Sequence, residues 1–243
     1  MTADHDRDLR RSLADLAGVL TGTQPLTQTL QRVASLAAAA IPGADGAGLT
    51  LLEPHGPDTM VASTDFVRAV DAVQYGIGEG PCLLAVQSGA TQRSGSLGGE
   101  QRWPRFGPRA GRLGVHSALS LPLLLADRVV GALNVYGREY DAFDGDSQAI
   151  GEEFSYPAAV TVSHAVLLEE SSRVTAQLQK ALTSRATIDQ AIGIIMSRTG
   201  KEPEEAFDVL RRQSQQEHVK LSDIASRIVD QALARARARR KDL

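Results

Sequence analysis

Cysteine is nearly absent: Cys82 is the only one in 243 residues. No disulfide can form within the chain, and no zinc site can be built from thiolates alone. Aromatic residues are scarce at 4%, and after Tyr156 only Phe207 remains. A C-terminal part so poor in rings offers no row of stacking platforms for a single-stranded nucleic acid. No apolar run approaches the roughly 18–20 residues needed to span a bilayer. The charged start MTADHDRDLRRSLADLAG lacks the uninterrupted apolar core of a signal peptide. These absences predict a cytoplasmic protein in a reducing compartment, away from the membrane.

Catalytic apparatus is missing as well. His5, His55, His116, His164 and His218 are scattered without ligand spacing, and no nucleophile with its base, carboxylate pair or metal cluster can be assembled. The expectation is a protein that is not an enzyme, with no metal site and an unknown cofactor, if any.

What is present is a globular composition, 42% hydrophobic and 23% charged, able to bury a substantial core. The net charge of −3 hides a division. Residues 1–172 hold 12 Lys/Arg against 20 Asp/Glu, a net of −8, and residues 173–243 hold 14 against 9, a net of +5. An acidic part followed by a basic one suggests a polyanionic partner for the C-terminal part, although a solvated basic helix surface gives the same count.

Apolar spacing predicts helix over residues 7–40, interrupted near Gly22 and Pro25 and ended by Ile41-Pro42-Gly43. Strand patterns follow at 47–52 and 59–63 across the turn Pro54–Pro57. A second hairpin is expected at 118–124 and 129–136 across Ala126-Asp127-Arg128, with Pro122 near an edge or bulge. Between them lie a helical stretch at 65–74, a Gly-rich turn at 75–81, a short helix and the segment 89–114. That segment has seven Gly in 26 residues and reads as a long loop of the kind that often forms a binding lid. From Asp144 the chain reads as helix toward Arg198. Within it Leu167, Ser171, Val174, Leu178, Ala181, Arg185, Ile188, Ile192 and Ile195 step by threes and fours. This is the repeat of a coiled-coil seam joining two chains, or of a packing face within one. Gly200 ends the helix and Pro203 opens the next. Ala206, Phe207, Leu210 and Ser214 mark its inner face. Ser222 is a candidate N-cap for a third helix that turns Ile224, Ile228 and Ala232 inward.

The candidate binding residues fall in two groups. Tyr75, Cys82, Trp103, Phe106 and His116 are candidates for a small-molecule site. Cys82 follows Gly80-Pro81 at a helix start, where it is either an activated thiol or a small buried apolar residue. Trp103 and Phe106 either close over an apolar ligand or anchor the loop to the core. Gly76–Gly80 lacks the spacing of a phosphate or dinucleotide cradle and reads as a turn. Arg185, Gln190, Gly193, Arg198, Arg211, Arg212, Ser214, Gln215 and Lys220 are candidates for contact with nucleic acid. The tail 236–243 adds non-specific charge or is a frayed, solubilising end.

The blocks R-x-x-I-D-Q-A-x-G-I-I-M at Arg185–Met196, E-A-F-x-x-L-R at Glu205–Arg211, S-Q-x-E at Ser214–Glu217 and K-L-x-D-I-A at Lys220–Ala225 occur in this order. In them the sequence resembles the ANTAR family of RNA-binding antiterminator domains. Many relatives carry Lys where Ile192 stands and Asn where His218 stands, so neither residue is carried over as a contact. Residues 10–165 resemble a GAF domain, on Gln74–Cys82 and on the hairpin from Ser120-Leu121-Pro122 to Gly131-Ala132-Leu133-Asn134. The two resemblances imply an α+β chain. A GAF-like antiparallel sheet flanked by helices (10–165) would be joined by a coiled-coil-like linker (166–184) to a three-helix ANTAR-like module (185–235). They also imply a homodimer that binds hairpin RNA in nascent transcripts and causes antitermination, with a possible small-molecule ligand in the GAF-like domain. Two rivals are a sensor-linked DNA-binding regulator, because a short basic three-helix unit also suits a helix-turn-helix, and a methionine sulfoxide reductase, for which one cysteine leaves no intrachain resolving thiol.

Overall fold

The computed structural model describes residues 3–19, 24–53, 56–126 and 128–241. The chain divides into two compact units, Met1–Glu169 and Glu170–Leu243.

In the first unit, α1 (Ala3–Val19) and α2 (Leu26–Ala40) precede the strands β1 (Gly46–Glu53) and β2 (Gly56–Ala62). Then come α3 (Asp65–Ile77), α4 (Pro81–Ser88), the short β3 (Gln92–Ser94), a 3-10 turn (Leu97–Gly99) and α5 (Gly107–Arg112). The hairpin β4 (Ser117–Leu125) and β5 (Arg128–Gly137) completes the sheet, and α6 (Gly145–Thr199) follows. The strands pair antiparallel in the order β2-β1-β5-β4-β3.

Side chains alternate across a sheet with period two. Leu49 and Leu51 of β1, Leu119, Leu121 and Leu123 of β4, and Leu133 and Val135 of β5 meet Leu30, Val33 and Ala37 of α2 and Ile150, Phe154 and Ala158 of α6. Each such aliphatic side chain contributes about 1.5–3 kcal/mol by leaving water. The intervening residues Ala118 and Tyr136 belong to a second buried cluster with Val67 and Val70 of α3, Leu97, Trp103, Phe106 and Ala110. Both faces of the sheet are therefore covered.

Several sequence expectations change in detail. The segment 89–114 is not a structureless lid: β3 pairs with β4, and the 3-10 turn and α5 occupy much of the rest. Leu97, Trp103 and Phe106 are 0–3% exposed, and that burial organises a stretch whose glycine content suggested none. Helix α3 runs on to Ile77 and stops at Gly78, which adopts the left-handed conformation (φ 66°). β2 starts at Gly56, inside the expected turn, of which Pro54 and His55 lie outside the described residues, as does Asp127 of the second turn. Pro122 pairs with Ala132 of β5 but lies beyond the three residues of β4 that β3 covers and beside a register shift at Leu123/Leu124, the edge and bulge setting in which proline is tolerated.

In the second unit, the last turns of α6 pack with α7 (Pro203–Glu217) and α8 (Leu221–Lys241). Ala191, Ile195, Ala206, Leu210, Ile224 and Ala225 form the buried core, with Ile188, Ile192 and Ile228 against it. Glu202 and Glu205 form a capping box at the start of α7. The helix ends at His218, a non-glycine residue at φ 54°, a conformation in which Asn is better tolerated. α8 starts at Leu221, so Ser222 lies in its first turn and is not its N-cap. Phe207 does not turn inward as expected but is 38% exposed, because Ala206 and Leu210 define the buried side of α7. The backbone is helical through Lys241.

Spacing alone does not tell one partner from another along the seam of α6. Ile188 and Ile192 are half-buried and Ile195 is buried within this module, whereas residues 167–183 are all exposed.

Candidate functional sites

On its second face the sheet carries small and polar residues at buried positions. Gly48, Asn134 and Ser120 stand in register across β1, β5 and β4, beside Thr50 and Tyr136. Thr50, Ser120, Asn134, Asp71 and Gln74 are fully buried. Desolvated polar groups are tolerated only when they bond one another, and here they form a network. The Tyr136 hydroxyl donates to Asp71 Oδ1 (2.6 Å), which also accepts from Asn134 Nδ2 (3.2 Å) and Gln74 Nε2 (3.5 Å). Ser120 donates to Asn134 Oδ1 (3.0 Å), and Asn134 Nδ2 also reaches Thr50 Oγ1 (3.3 Å). Gln74 Oε1 accepts from the Cys82 backbone N–H (2.9 Å), tying α3 to the start of α4. The Tyr75 hydroxyl bonds Thr50 and lies 3.6 Å from Cys82 Sγ. Gly48 makes room for the carboxylate, since a Cβ there would sit 2.5 Å from Asp71 Oδ2.

Burial, and after it the Asp71 charge, push the Cys82 thiol up to about 11 against the hydrogen bonds from Tyr75, Asn134 and Thr50. Tyr136 is likewise raised well above its ordinary value, by burial first and then by Asp71. Cys82 is thus a protonated thiol at neutral pH rather than an activated one. Native protein at pH 7 should resist alkylation by iodoacetamide and react only on unfolding; rapid labelling of the folded chain would contradict this. The folded thiol holds its proton where the unfolded one, near 9, has lost it. Its contribution to stability is therefore complete below pH 9 and declines as pH rises from about 9 through about 11.

A second set of bonds closes this face. The Glu79 carboxylate accepts from the backbone N–H groups of Arg105 (2.6 Å) and Phe106 (3.0 Å) and pairs with Arg105 Nε at 2.9 Å. Burial pulls its pKa up, but these donors outweigh burial and hold the carboxyl below its ordinary value.

Of the five residues expected at a ligand site, Tyr75 and Cys82 meet in the polar network. Trp103 and Phe106 are core members, 3% and 0% exposed, with the Arg102 guanidinium 4.4 Å over the indole. His116 lies outside the network and stacks on Tyr140 at 4.3 Å. Sequence reading missed Thr50, Asp71, Ser120, Asn134 and Tyr136. Asp71 lies on α3; for the other four the signal was the polar member of each alternating pair on strands whose second face is also buried.

In the basic module Arg185, Gln190, Gly193 and Arg198 are exposed on α6. Arg211, Arg212 and Gln215 are exposed on α7 away from Ala206 and Leu210, and Lys220 is exposed in the turn before α8. Arg211 pairs with Asp208 at 2.9 Å, but both side chains are about half exposed, so the pair leaves the guanidinium available. Arg212 Nε donates to the Asp208 carbonyl (3.3 Å). Ser214 stands apart from the other candidates: its hydroxyl donates to the Val219 carbonyl (2.6 Å) and staples the turn between α7 and α8.

The GAF domain family matches residues 23–163, and the ANTAR domain family matches residues 176–229. Among solved structures, the GAF domain of a phosphoenolpyruvate-protein phosphotransferase from Coxiella burnetii is 19% identical. The alignment covers 66% of this chain and 96% of that one, with a TM-score of 0.52. The corresponding domain from Acinetobacter is 16% identical over 69% of this chain and 97% of that one, with a TM-score of 0.51. A free methionine-R-sulfoxide reductase from Neisseria meningitidis, in complex with its substrate, is 16% identical over 69% and 95%, with a TM-score of 0.50. These likenesses establish the fold and carry no activity with them. No curated protein matches the chain.

Proposed function

Because the chain belongs to the GAF domain family and carries an ANTAR domain behind that domain, we propose that it is a non-catalytic, cytoplasmic regulator. In this reading a signal received by the sensor governs binding of hairpin RNA in nascent transcripts, and binding causes antitermination. The ANTAR domain is an RNA-binding antitermination module and GAF domains are sensors, which supplies the general kind of function. The observation that carries the finer reading is the exposed cationic surface of the C-terminal unit, with Arg211 and Arg212 on one side of α7 and Arg185 and Arg198 on α6. The scarcity of aromatic residues there favours recognition of a structured loop by shape, charge and hydrogen bonds over stacking on a single strand.

A possible small-molecule ligand at the polar face would have to part the segment that covers it, since Asp71 and Asn134 are fully buried. The same helix α6 supplies Phe154 to the sensor core and Ile195 to the module core, so a ligand that binds two arrangements of α6 unequally would shift RNA affinity. Homodimerisation fits the exposed part of the seam, where Leu167, Val174 and Leu178 are 43–64% exposed on a single chain. Pairing of two copies would bury them. Sedimentation of the full chain should return a dimer, and a monomer at micromolar concentration would remove this element. Among the described residues no helix is long and apolar enough to cross a membrane.

Competition between stem-loop RNA and duplex DNA at fixed salt tests the reading. RNA should win, and preference for the duplex would leave the DNA-binding rival standing. Arg211→Ala should weaken hairpin binding by about 1–3 kcal/mol with unchanged thermal unfolding. Unaltered affinity would take Arg211 out of the interface.

A further inference from the structure

Gly193 lies in the interior of a long helix, where glycine is less favourable than alanine, yet nothing in the chain requires its small size. A Cβ at this position would meet no atom within 4 Å. The residue lines an open groove of about 680 Å³ between α6 and α8, bounded by Gln190, Ile194 and Arg198 on one helix and by Val229 and Leu233 on the other. The floor is completed by the small side chains Ala232 and Ala236. Leu233 is 49% exposed there. The groove is apolar along much of its lining, polar at Gln190 and Ser197, and its charged lining residue, Arg198, is a cation.

We infer that this groove takes one unpaired base of the RNA loop, an inference that rests on the RNA-binding reading above. A base is a flat body with apolar faces and a polar edge, carried on an anionic backbone. Ile194, Val229 and Leu233 suit the faces, the Gln190 amide can both donate to and accept from the edge, and Arg198 suits the phosphate. The absence of a side chain at residue 193 lets the base approach the α6 backbone. A helix from another protein fits less well, because it would cover the Gln190 amide and the Arg198 guanidinium without supplying partners for them.

The test uses the full-length protein and a stem-loop RNA selected by it from a pool with a randomised loop. A companion set carries an abasic nucleotide at each loop position in turn. One abasic position should lower affinity by about tenfold, and the others much less. Gly193→Leu, which fills the groove from an open site, should bind the intact RNA about tenfold more weakly and lose nothing more at that same abasic position. Gly193→Ala should raise the unfolding temperature, because its methyl enters open space; this control shows that the position tolerates a side chain. The inference is overturned if Gly193→Leu binds the intact RNA as tightly as the parent, or if its loss adds in full to that of the abasic change. It is equally overturned if the substitution changes the oligomeric state and not RNA affinity, which would assign the groove to a second copy. Failure to select any stem-loop would instead refute the RNA-binding reading itself.

Discussion

Asp71→Leu should destabilise the sensor unit by about 3–5 kcal/mol, the range seen when one partner of a buried charged pair or network is removed. The leucine removes the acceptor of the Tyr136 hydroxyl and strips one acceptor each from Asn134 and Gln74, all at positions without access to water. Each buried donor left unsatisfied costs about 1–3 kcal/mol. Asn134 and Gln74 lose less than Tyr136, because Asn134 also reaches Thr50 and Gln74 lies 3.5 Å from the Tyr136 oxygen. Trp103 is the single tryptophan of the chain and belongs to the cluster beside this network, so its fluorescence in a urea titration reports the sensor alone. A midpoint equal to that of the parent would mean that the network contributes no stability. Asp71→Asn keeps one carbonyl oxygen for Tyr136 and should lie between the two.

The strands of this unit were legible because their aliphatic members recur at every second position. Leu119, Leu121 and Leu123, and Leu133 and Val135, read as one buried face, and they are. The same alternation places Ser120 and Asn134 on the other face, and period two reports which residues share a face and not whether that second face is covered. Coverage comes from α3 and from the segment around Trp103 and Phe106, which no pattern within β4 and β5 reports. The candidate site was therefore legible only at Tyr75 and Cys82, through the local motif, and silent at the strand residues that complete it.

The C-terminal module was legible in more detail, because its blocks occur as local motifs and its helices end at Gly200 and begin at Pro203 as those residues dictate. Phe207 was the exception. Placing it inside follows from its size, whereas Ala206 and Leu210 define the buried side of α7 and Phe207, one position on from Ala206, falls outside it. The seam of α6 shows a related limit. A 3.5-residue repeat reports an apolar stripe, and only three-dimensional packing separates Ile188, Ile192 and Ile195, which pack in the module core, from Val174 and Leu178, which are left exposed.

The small core of the module, six buried residues, sets the second large effect. Leu210 is fully buried among Ala191, Ile195, Ala206, Ile224 and Ala225. Leu210→Ala removes a side chain worth about 2–5 kcal/mol once the residual cavity is counted. Small domains have little stability to spare, so the substitution should unfold the helical module at ambient temperature. Two readouts then separate. Far-ultraviolet circular dichroism should lose helix and hairpin RNA binding should disappear, while the Trp103 emission and its urea midpoint stay those of the parent. This pattern distinguishes Leu210 from Arg211, its neighbour in sequence, whose replacement should weaken RNA binding without loss of helix. If Leu210→Ala shifted the Trp103 transition as much as it shifted the helical signal, the two units would unfold as one, and stability of the module could not be assigned to its own core.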